Sequence, residues 1–422
     1  MRTIVHFLTI NLLAILISCQ SKPVEIFVSP DGNDNQTGSH ENPLQSFEKA
    51  RQLAATFSGK NEVHVIFEDG IYYLPGTVEL RAENSGTKKC PVKFQAKNEG
   101  KAVLSGGQKL QLKWEVYKDG IYKADVAEDV LIDQLYVNGE RQRMARFPNA
   151  VEGKNVFDTW DLIHTREPDQ EKDPLNSQRV ASWDNPKGAY VHAMHTALWG
   201  DMHWLVKDKN VDGTLNLEGG WQNNRPSPMH PRYRMVENVF EELNAPGEWF
   251  YDINEKTLYY YPQSGLSINS AKIEIVRLKH LVEFKGKKDN PVKYITLEGF
   301  VFRHSARSFM ENKEQLLRSD WTTYRGGAVF IDGAEDCVIS NCEFDQVGGN
   351  SIFVNNYNRR ITVKSCYIHH SGANGVAFVG DPATVRSPLF RYGKQDFASI
   401  DRTPGPKGDD YPSECLVEDC LI

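Results

Sequence analysis

An internal repeat with a period of 24 residues constrains the fold of this chain more than any other feature. Residues 337–344 read CVISNCEF and residues 361–368 read ITVKSCYI, so each position of the second segment follows its counterpart by 24. The same offset relates the flanking positions, which align Gly348 with Gly372, Asn350 with Asn374, and Ala328 and Phe330 with Ile352 and Val354. A fixed period in the twenties indicates a stacked solenoid.

Two further segments resemble the repeated strand at longer distances. Residues 295–302 precede residues 337–344 by 42 positions, which is one period plus an insertion of 18 residues. Residues 415–422 follow residues 361–368 by 54 positions, which is one period plus an insertion of 30 residues. The insertions are expected to form loops, because the stacked strands themselves tolerate no change of length.

The apolar alternation of these segments predicts an all-β fold, the right-handed parallel β-helix. The alternation has the two-residue period of strands, and the 3.6-residue period of helical repeats is missing. Leucine-rich repeats share a similar length, but their L-x-x-L-x-L-x-x-N pattern does not occur in these segments. A parallel solenoid whose strands stack from one turn of the chain to the next is the fold that remains.

Five of the seven cysteines occupy two phases of the repeat, Cys342, Cys366 and Cys420 in one, Cys337 and Cys415 in the other. Stacked strands lie about 4.8 Å apart, so we expect these thiols to form buried ladders that pack as small apolar groups. A disulfide framework in an exported protein is the alternative interpretation. Asn350 and Asn374 are expected to form a ladder that satisfies backbone groups at a turn.

Residues 1–19 resemble a bacterial lipoprotein signal peptide. Arg2 supplies the positive charge, the apolar stretch that follows is too short to span a bilayer, and the segment ends at Cys19. The resemblance implies lipid attachment at Cys19 and export to the periplasm, the outer membrane or the cell surface. An ordinary secretory peptide in which Cys19 has no role is the alternative. The membrane is expected to be contacted through the lipid anchor alone.

The remaining chain divides into three predicted parts. Residues 24–107 are expected to form an N-terminal cap, with a helix that begins after Ser46, and the first turns of the β-helix. The 24-residue period disappears in residues 108–290, where paired strand patterns around an Asn-Gly turn predict an inserted, mostly-β subdomain. Residues 291–422 carry the repeat, and we expect this β-helix to be incomplete at its C-terminus.

The first quarter of the chain, from residue 27 to residue 107, is similar to the start of many bacterial carbohydrate-active β-helix proteins. Residues 135–148 and 246–262 resemble segments of glycoside hydrolase family 141, whose members combine such an insertion with a β-helix. The resemblance implies a glycoside hydrolase that acts on plant or algal polysaccharide. It also implies that the catalytic aspartates of the family lie on later strands, beyond Ile422, so catalytic residues are not assigned within this chain.

Candidate substrate-binding residues follow from the register of the repeat. With Cys342 and Phe344 directed inward, Asp345 is expected on the outer face, with His369 beside it one turn later. An ion pair without a binding role is the alternative for this couple. Arg303 and His304 precede one long loop and Asp381 lies in the other; arginine there would suit a carboxylated sugar, and solvated loop charge is the alternative interpretation.

The composition limits the partners that need consideration. The formal net charge is −7 without any basic block, which argues against nucleic acid. Aromatic residues make up 11% of the chain, which suits a polysaccharide or oligosaccharide partner but also an ordinary core. We expect a monomer without a metal or other cofactor. A polysaccharide lyase and a non-catalytic glycan-binding lipoprotein are the alternatives, and the lyase would use Ca²⁺ held by Asp381, Asp409 and Asp410.

Overall fold

A computed structural model describes residues 22–127, 129–151, 153, 172–223, 228–316, 321–387 and 396–422. The predicted signal peptide 1–19, with Cys19, lies outside the described residues. Three parallel sheets, named I, II and III below, surround one elongated apolar core. Among the described residues, no helix combines the length and apolar character needed to cross a membrane.

The chain passes through sheets I, II and III in turn, and each passage forms one rung of a parallel β-helix. Sheet I contains strands Val24–Val28, Val63–Phe67, Val92–Ala96, Ile295–Glu298, Val338–Ser340, Thr362–Lys364 and Leu416–Glu418. Sheet II contains strands Gly70–Tyr73, Ala102–Ser105, Phe300–Ser305, Glu343–Val347 and Tyr367–His369. Sheet III contains strands Val78–Leu80, Val282–Lys285, Val329–Glu335, Ile352–Arg359 and Val376–Val379, with short partners Val292–Lys293 and Pro412–Ser413.

The strand register confirms the predicted solenoid. Val338 pairs with Thr362 and Ile352 pairs with Val376, which is the predicted offset of 24 residues. Each pair of neighbouring strands in the three sheets runs parallel, so equivalent residues of successive rungs lie directly above one another. Inward positions are apolar because the core has no water to satisfy polar groups.

One part of the predicted register is wrong by one residue. Val329 pairs with Ile352, so Ala328 and Phe330 are each displaced from the partners expected for them. A β-bulge in the strand Ile352–Arg359 restores the offset of 24 further along. A bulge adds one unpaired residue to a single strand, and a sequence comparison at constant period does not locate it.

The stacked cysteines and asparagines form the predicted ladders. Cys337, Cys342 and Cys366 are buried, and all described cysteines are free thiols, so the alternative disulfide framework does not occur among them. The Asn374 amide Nδ2 donates to Asn350 Oδ1 at 2.8 Å, and Asn350 Nδ2 donates to the carbonyl oxygen of the preceding rung, that of Gly326, at the same distance.

The predicted helix caps the N-terminal end of the core. It spans Phe47–Phe57, and Ser46 is its N-cap, whose hydroxyl oxygen accepts from the backbone N–H of Lys49 at 3.1 Å. Phe47 is buried against Phe67 and Phe94, so the helix covers apolar side chains that the first rung would otherwise expose to water. The other helices are Ser177–Ser182 and the 3₁₀ segments Ala82–Asn84, Phe240–Glu242, Ile268–Ser270, Phe309–Glu311, Pro382–Thr384 and Phe397–Ser399.

An insertion of two sheets replaces the connection between sheet II and sheet III on the third rung. Its mixed sheet contains Gly107–Leu110, Glu115–Lys118, Ile121–Asp125, Leu135–Val137, Glu140–Met144, Glu248–Asp252, Thr257–Tyr260 and Ile273–Val276. Its antiparallel sheet contains Arg146–Phe147, Tyr190–His195, Asp201–Lys209, Leu215–Gly219 and Met229–Glu237. A separate hairpin pairs Glu314–Gln315 with Thr322–Thr323.

The insertion ends earlier than the predicted limit of residue 290. Strand Val282–Lys285 falls inside the predicted range, but it pairs with Val78–Leu80 and Val329–Glu335 and belongs to sheet III. The single strand lacks the 24-residue repeat because its neighbour in the solenoid lies on the other side of the insertion. The two ends of the insertion meet, since Gly107 pairs with Val276.

Replacement of Asn350 by alanine is expected to lower the free energy of unfolding by about 1–3 kcal/mol, because a buried side chain with several hydrogen bonds is lost. Asn374 is the control: it is exposed, and Asn374→Ala removes the bond between the two side chains while leaving Asn350 bonded to the rung below. Denaturant unfolding of both variants measures the difference. Equal losses would show that the buried position has no special importance.

Candidate functional site

A row of polar side chains crosses the outer face of sheet II near the ends of its strands. The strand register places Tyr73, Ser105, Arg303, Asp345 and His369 at equivalent positions of five successive strands. Arg303 Nη2 lies 2.7 Å from Asp345 Oδ2, and His369 Nδ1 lies 3.5 Å from Asp345 Oδ1. The predicted proximity of Asp345 and His369 is confirmed, and their role in substrate binding stays a prediction.

A corner of left-handed backbone after each of these strands adds further side chains to the row. Gln346 has a φ of 55° and His370 a φ of 51°, and the two residues are one period apart. Gln346 Nε2 donates to Asp345 Oδ2 at 3.0 Å, and His370 Nδ1 lies 3.2 Å from Asp345 Oδ1. The left-handed corner therefore turns both side chains back toward Asp345, although adjacent residues of a strand normally point to opposite faces.

Glu343 and Tyr367 complete the outer face beside His369. Glu343 Oε1 lies 3.1 Å from His369 Nε2, and the Tyr367 ring stacks on the His369 ring with centroids 4.2 Å apart. Sequence analysis did not single out Gln346, His370, Glu343 or Tyr367. The alternation that places Asp345 outward also places Glu343 outward, so this residue could have been found from the same pattern.

Asp345 carries a negative charge at neutral pH. Burial of its side chain raises the pKa, but hydrogen bonds from Gln346 and His370 and the charge of Arg303 outweigh burial, and the pKa is below its ordinary value. Only 7% of the Asp345 side chain is exposed, whereas 73% of the His370 side chain is. The row thus has a fixed anionic centre and an exposed imidazole at its edge.

The hairpin of the insertion closes one side of this row and creates a cleft of about 600 Å³, which we name the sheet II cleft. The hairpin joins Leu135–Val137 to Glu140–Met144 through Asn138 and Gly139, the turn that the Asn-Gly pair predicts. Arg141 points into the cleft and forms no ion pair with any described residue. The cleft therefore combines a free cationic group with the polar row of sheet II.

A second cavity of about 700 Å³, the junction cavity, lies between the two sheets of the insertion and the β-helix. Its lining shares Arg141 and Gly372 with the sheet II cleft, so the two spaces adjoin. Arg143 and Arg146 also line the junction cavity, and Arg143 forms no ion pair with a residue of the described chain. Cationic side chains thus continue from one cavity into the next.

Arg307 fastens the insertion to the β-helix beneath the junction cavity. Its Nε and Nη2 donate to both carboxylate oxygens of Asp133 at 2.7 and 2.6 Å, and its Nη1 donates to Glu237 Oε1 at 2.6 Å. Burial alone would raise the pKa of Glu237, but Arg307 and His192 hold this pKa well below its ordinary value. One buried cation from the β-helix therefore neutralises two carboxylates of the insertion.

His304 is buried, which corrects its predicted role as a substrate-binding residue. Only 2% of His304 is exposed, its ring lies 4.1 Å from the Tyr136 ring, and its Nδ1 lies 3.1 Å from Ser105 Oγ. The insertion packs over this position and excludes a polysaccharide. Burial lowers the pKa of His304 to about 4, so the imidazole is neutral at physiological pH.

Asp381 lies away from the row on sheet II and lines a separate cavity of about 930 Å³. Its Oδ1 accepts from the backbone N–H of Ala383 at 2.8 Å and caps a 3₁₀ turn, so its observed contacts are structural. The structure does not bring Asp381 to Asp345 and His369. It also does not unite the three aspartates considered for Ca²⁺, since Asp409 pairs with Lys288.

One group of side chains in the described part of the chain has the composition and spacing of a metal-binding cluster. It consists of Asp345, His369 and His370, which offer one ligand atom each. The atoms lie on the cleft side of sheet II, where the exposed His370 meets solvent. Two imidazoles and a carboxylate suit transition metals better than Ca²⁺.

The model of the right-handed β-helix region matches residues 303–387, about one fifth of the chain. A solved glycoside hydrolase is similar at 21% identity and a TM-score of 0.70, covering 84% of this chain and 68% of its own. A complex of XylC with xylose is similar at 12% identity, covering 82% and 58%, but its TM-score of 0.38 supports no argument. No curated protein matches. These similarities and the strand register establish a right-handed parallel β-helix.

Removal of the Arg307 charge is expected to destabilise the protein strongly. Arg307→Met leaves Glu237 buried without its cation, and loss of one partner of a buried ion pair typically costs about 3–5 kcal/mol. Arg360→Met is the matched control, because Arg360 pairs with Asp336 at the surface, where such pairs contribute about 0–1 kcal/mol. Denaturant unfolding compares the two, and similar losses would contradict the anchoring role of Arg307.

The buried His304 is expected to make stability depend on pH. Its pKa is about 4 in the folded protein and about 6.5 in an unfolded chain, so its contribution is complete above pH 6.5 and is lost as the pH falls toward 4. The loss amounts to at most about 3 kcal/mol. His304→Gln should flatten the pH profile of the unfolding free energy over this window. Parallel profiles for the two proteins would refute the assignment.

Proposed function

We propose that this chain is a carbohydrate-active β-helix protein that binds an acidic polysaccharide in the sheet II cleft, and that its reaction is glycoside hydrolysis. The observation that carries the proposal is the pair Arg141 and Arg143, which face adjoining cavities on the outside of the β-helix without an acidic partner in the described chain. Cationic groups left unpaired beside a cleft favour an anionic ligand.

Arginine supports a carboxylated sugar in particular. A guanidinium group can donate two parallel hydrogen bonds to one carboxylate, which fixes the orientation of the sugar as well as attracting its charge. Arg303 adds to this set: Nη2 contacts Asp345, whereas its buried Nε has no hydrogen-bond partner in the described chain. We infer that a uronate carboxylate is recognised between the hairpin of the insertion and sheet II.

Exposed aromatic surface next to the cleft supports the same class of ligand. Tyr367 is 46% exposed and is held by stacking on His369, so its outer ring face is rigid and accessible. Flat aromatic rings cover the apolar face of a pyranose, while neighbouring polar groups bind its hydroxyls. Glu343 and His369 supply such groups within the same face of sheet II.

Hydrolysis is the reaction that the combined observations support best. The glycoside hydrolase that shares the fold gives this class its first support. Glycoside hydrolysis normally uses two carboxyl groups on either side of the scissile bond. Glu343 and Asp345 lie on one strand and are bridged by His369, and the low pKa of Asp345 suits an ionised group rather than a proton donor. The proton donor is left unassigned, and the aspartates expected beyond Ile422 stay a prediction.

A polysaccharide lyase is the second candidate, favoured by the arginines beside an imidazole pair. A lyase neutralises the uronate carboxylate and removes the neighbouring proton with a base. Arg141 and Arg303 would provide the positive charge, and His369 or His370 the base. The products separate the two reactions, since a lyase leaves an unsaturated, ultraviolet-absorbing sugar and a hydrolase does not.

We further propose that the protein acts as an exported monomer, anchored to a bacterial membrane through Cys19. The proposal rests on the signal-peptide pattern of residues 1–19 alone. Labelling with a radioactive or alkyne-tagged fatty acid in a bacterial host, with Cys19→Ser as control, measures the attachment.

The glycan proposal predicts a preference for charged polymers that depends on arginine. Polygalacturonate should bind more tightly than neutral xylan or galactan in affinity electrophoresis, and Arg141→Ala with Arg143→Ala should weaken its binding about tenfold or more. Arg402→Ala is the control, because this arginine is exposed and outside both cavities. Equal retention by neutral and acidic polymers, or unchanged retention in the double variant, would overturn the proposal.

A further inference from the structure

We propose that Asp345, His369 and His370 bind a divalent transition-metal ion, of the zinc or cobalt type, on the outer face of sheet II. The inference concerns a site different in kind from the arginines that carry the proposed glycan binding. It stands on the positions of the three ligand atoms, on the hydrogen bonds behind them and on the backbone that presents them. It does not require that the protein act on a polysaccharide.

The distances among the three ligand atoms fit one metal ion. His369 Nδ1 lies 2.9 Å from His370 Nδ1 and 3.5 Å from Asp345 Oδ1, and His370 Nδ1 lies 3.2 Å from the same oxygen. Tetrahedral zinc with bonds of about 2.0–2.2 Å separates its ligand atoms by about 3.3–3.5 Å. Movements of a few tenths of an ångström in the side chains would therefore complete the geometry.

Hydrogen bonds behind the cluster leave the correct atoms free for a metal. Glu343 Oε1 accepts from His369 Nε2–H at 3.1 Å, which leaves the lone pair of His369 Nδ1 directed at the cluster. Gln346 and Arg303 donate to Asp345 Oδ2, so Oδ1 remains for coordination. A carboxylate behind a ligating histidine is the usual outer-shell arrangement of protein metal sites.

The backbone holds the ligands together before any metal arrives. Asp345 and His369 occupy hydrogen-bonded positions on neighbouring strands, and His370 joins them through the left-handed corner at the end of its strand. Gln346 has the same corner conformation one rung earlier, so this backbone is a regular part of the solenoid. A rigid, repeated scaffold lowers the entropy that is lost when three side chains converge on one ion.

The ligand set indicates which ions the site prefers and what remains open. Two imidazole nitrogens favour zinc, cobalt, nickel or copper, while Ca²⁺ and Mg²⁺ prefer oxygen ligands. Three protein ligands leave at least one coordination position, and the exposed side of His370 places that position toward the sheet II cleft. Open sites of this kind bind water or a ligand oxygen, whereas structural zinc sites have four protein ligands.

Titration of the full chain, without a histidine tag and without glycan, tests the inference. Co²⁺ should produce the visible absorption of a low-coordinate cobalt site with a stoichiometry of one, and Zn²⁺ should displace it. His370→Ala should abolish the signal while leaving thermal unfolding unchanged, because this side chain is largely exposed. Glu343→Ala should weaken binding about 10–100-fold. His40→Ala, which removes an exposed histidine elsewhere, should bind like the unaltered protein.

Two results would overturn the inference: no stoichiometric cobalt signal, or a His370→Ala variant that binds as well as the unaltered protein. Displacement of Co²⁺ by millimolar Ca²⁺ would also overturn it, since the site would then be an oxygen-type site. The outcome is separable from that of the glycan proposal. Metal binding with no preference for acidic polymers would sustain this site and refute the proposed function, and the reverse result would do the opposite.

Discussion

Parallel hydrogen bonding between successive rungs is the constraint on which the rest of this structure depends. It aligns equivalent residues of distant segments, so Arg303, Asp345 and His369 become neighbours although more than 20 residues separate each from the next. The ladder also fixes which face each side chain occupies, because a shift by one residue would exchange the inner and outer faces. The polar row on sheet II is a direct product of that register.

The insertion depends on a different interaction, the buried charge of Arg307. A β-helix offers a flat outer surface, and the two sheets of the insertion cover part of it to form both the sheet II cleft and the junction cavity. Arg307 binds Asp133 and Glu237, which lie in different parts of the insertion. The positions of the cleft walls therefore follow from a cation that belongs to the solenoid itself.

The repeat in the sequence was sufficient to predict the β-helix, the ladders and the proximity of Asp345 to His369. It could not predict His370, because the left-handed corner reverses the normal alternation of a strand. It placed His304 at the surface, since no local pattern shows that the insertion folds back over that residue. The bulge in the strand Ile352–Arg359 displaced one predicted alignment for a similar reason, as pairing within a sheet is not a local property.

The meeting of the two ends of the insertion at Gly107 and Val276 has a consequence for how such proteins change. The chain leaves the solenoid and returns to it at adjacent points, so the winding of the rungs is indifferent to what lies between. A segment attached in this way can be lengthened, shortened or exchanged while the stack below keeps its geometry. Ligand preference and structural integrity can thus diverge independently, the first in a grafted module and the second in the coil that carries it.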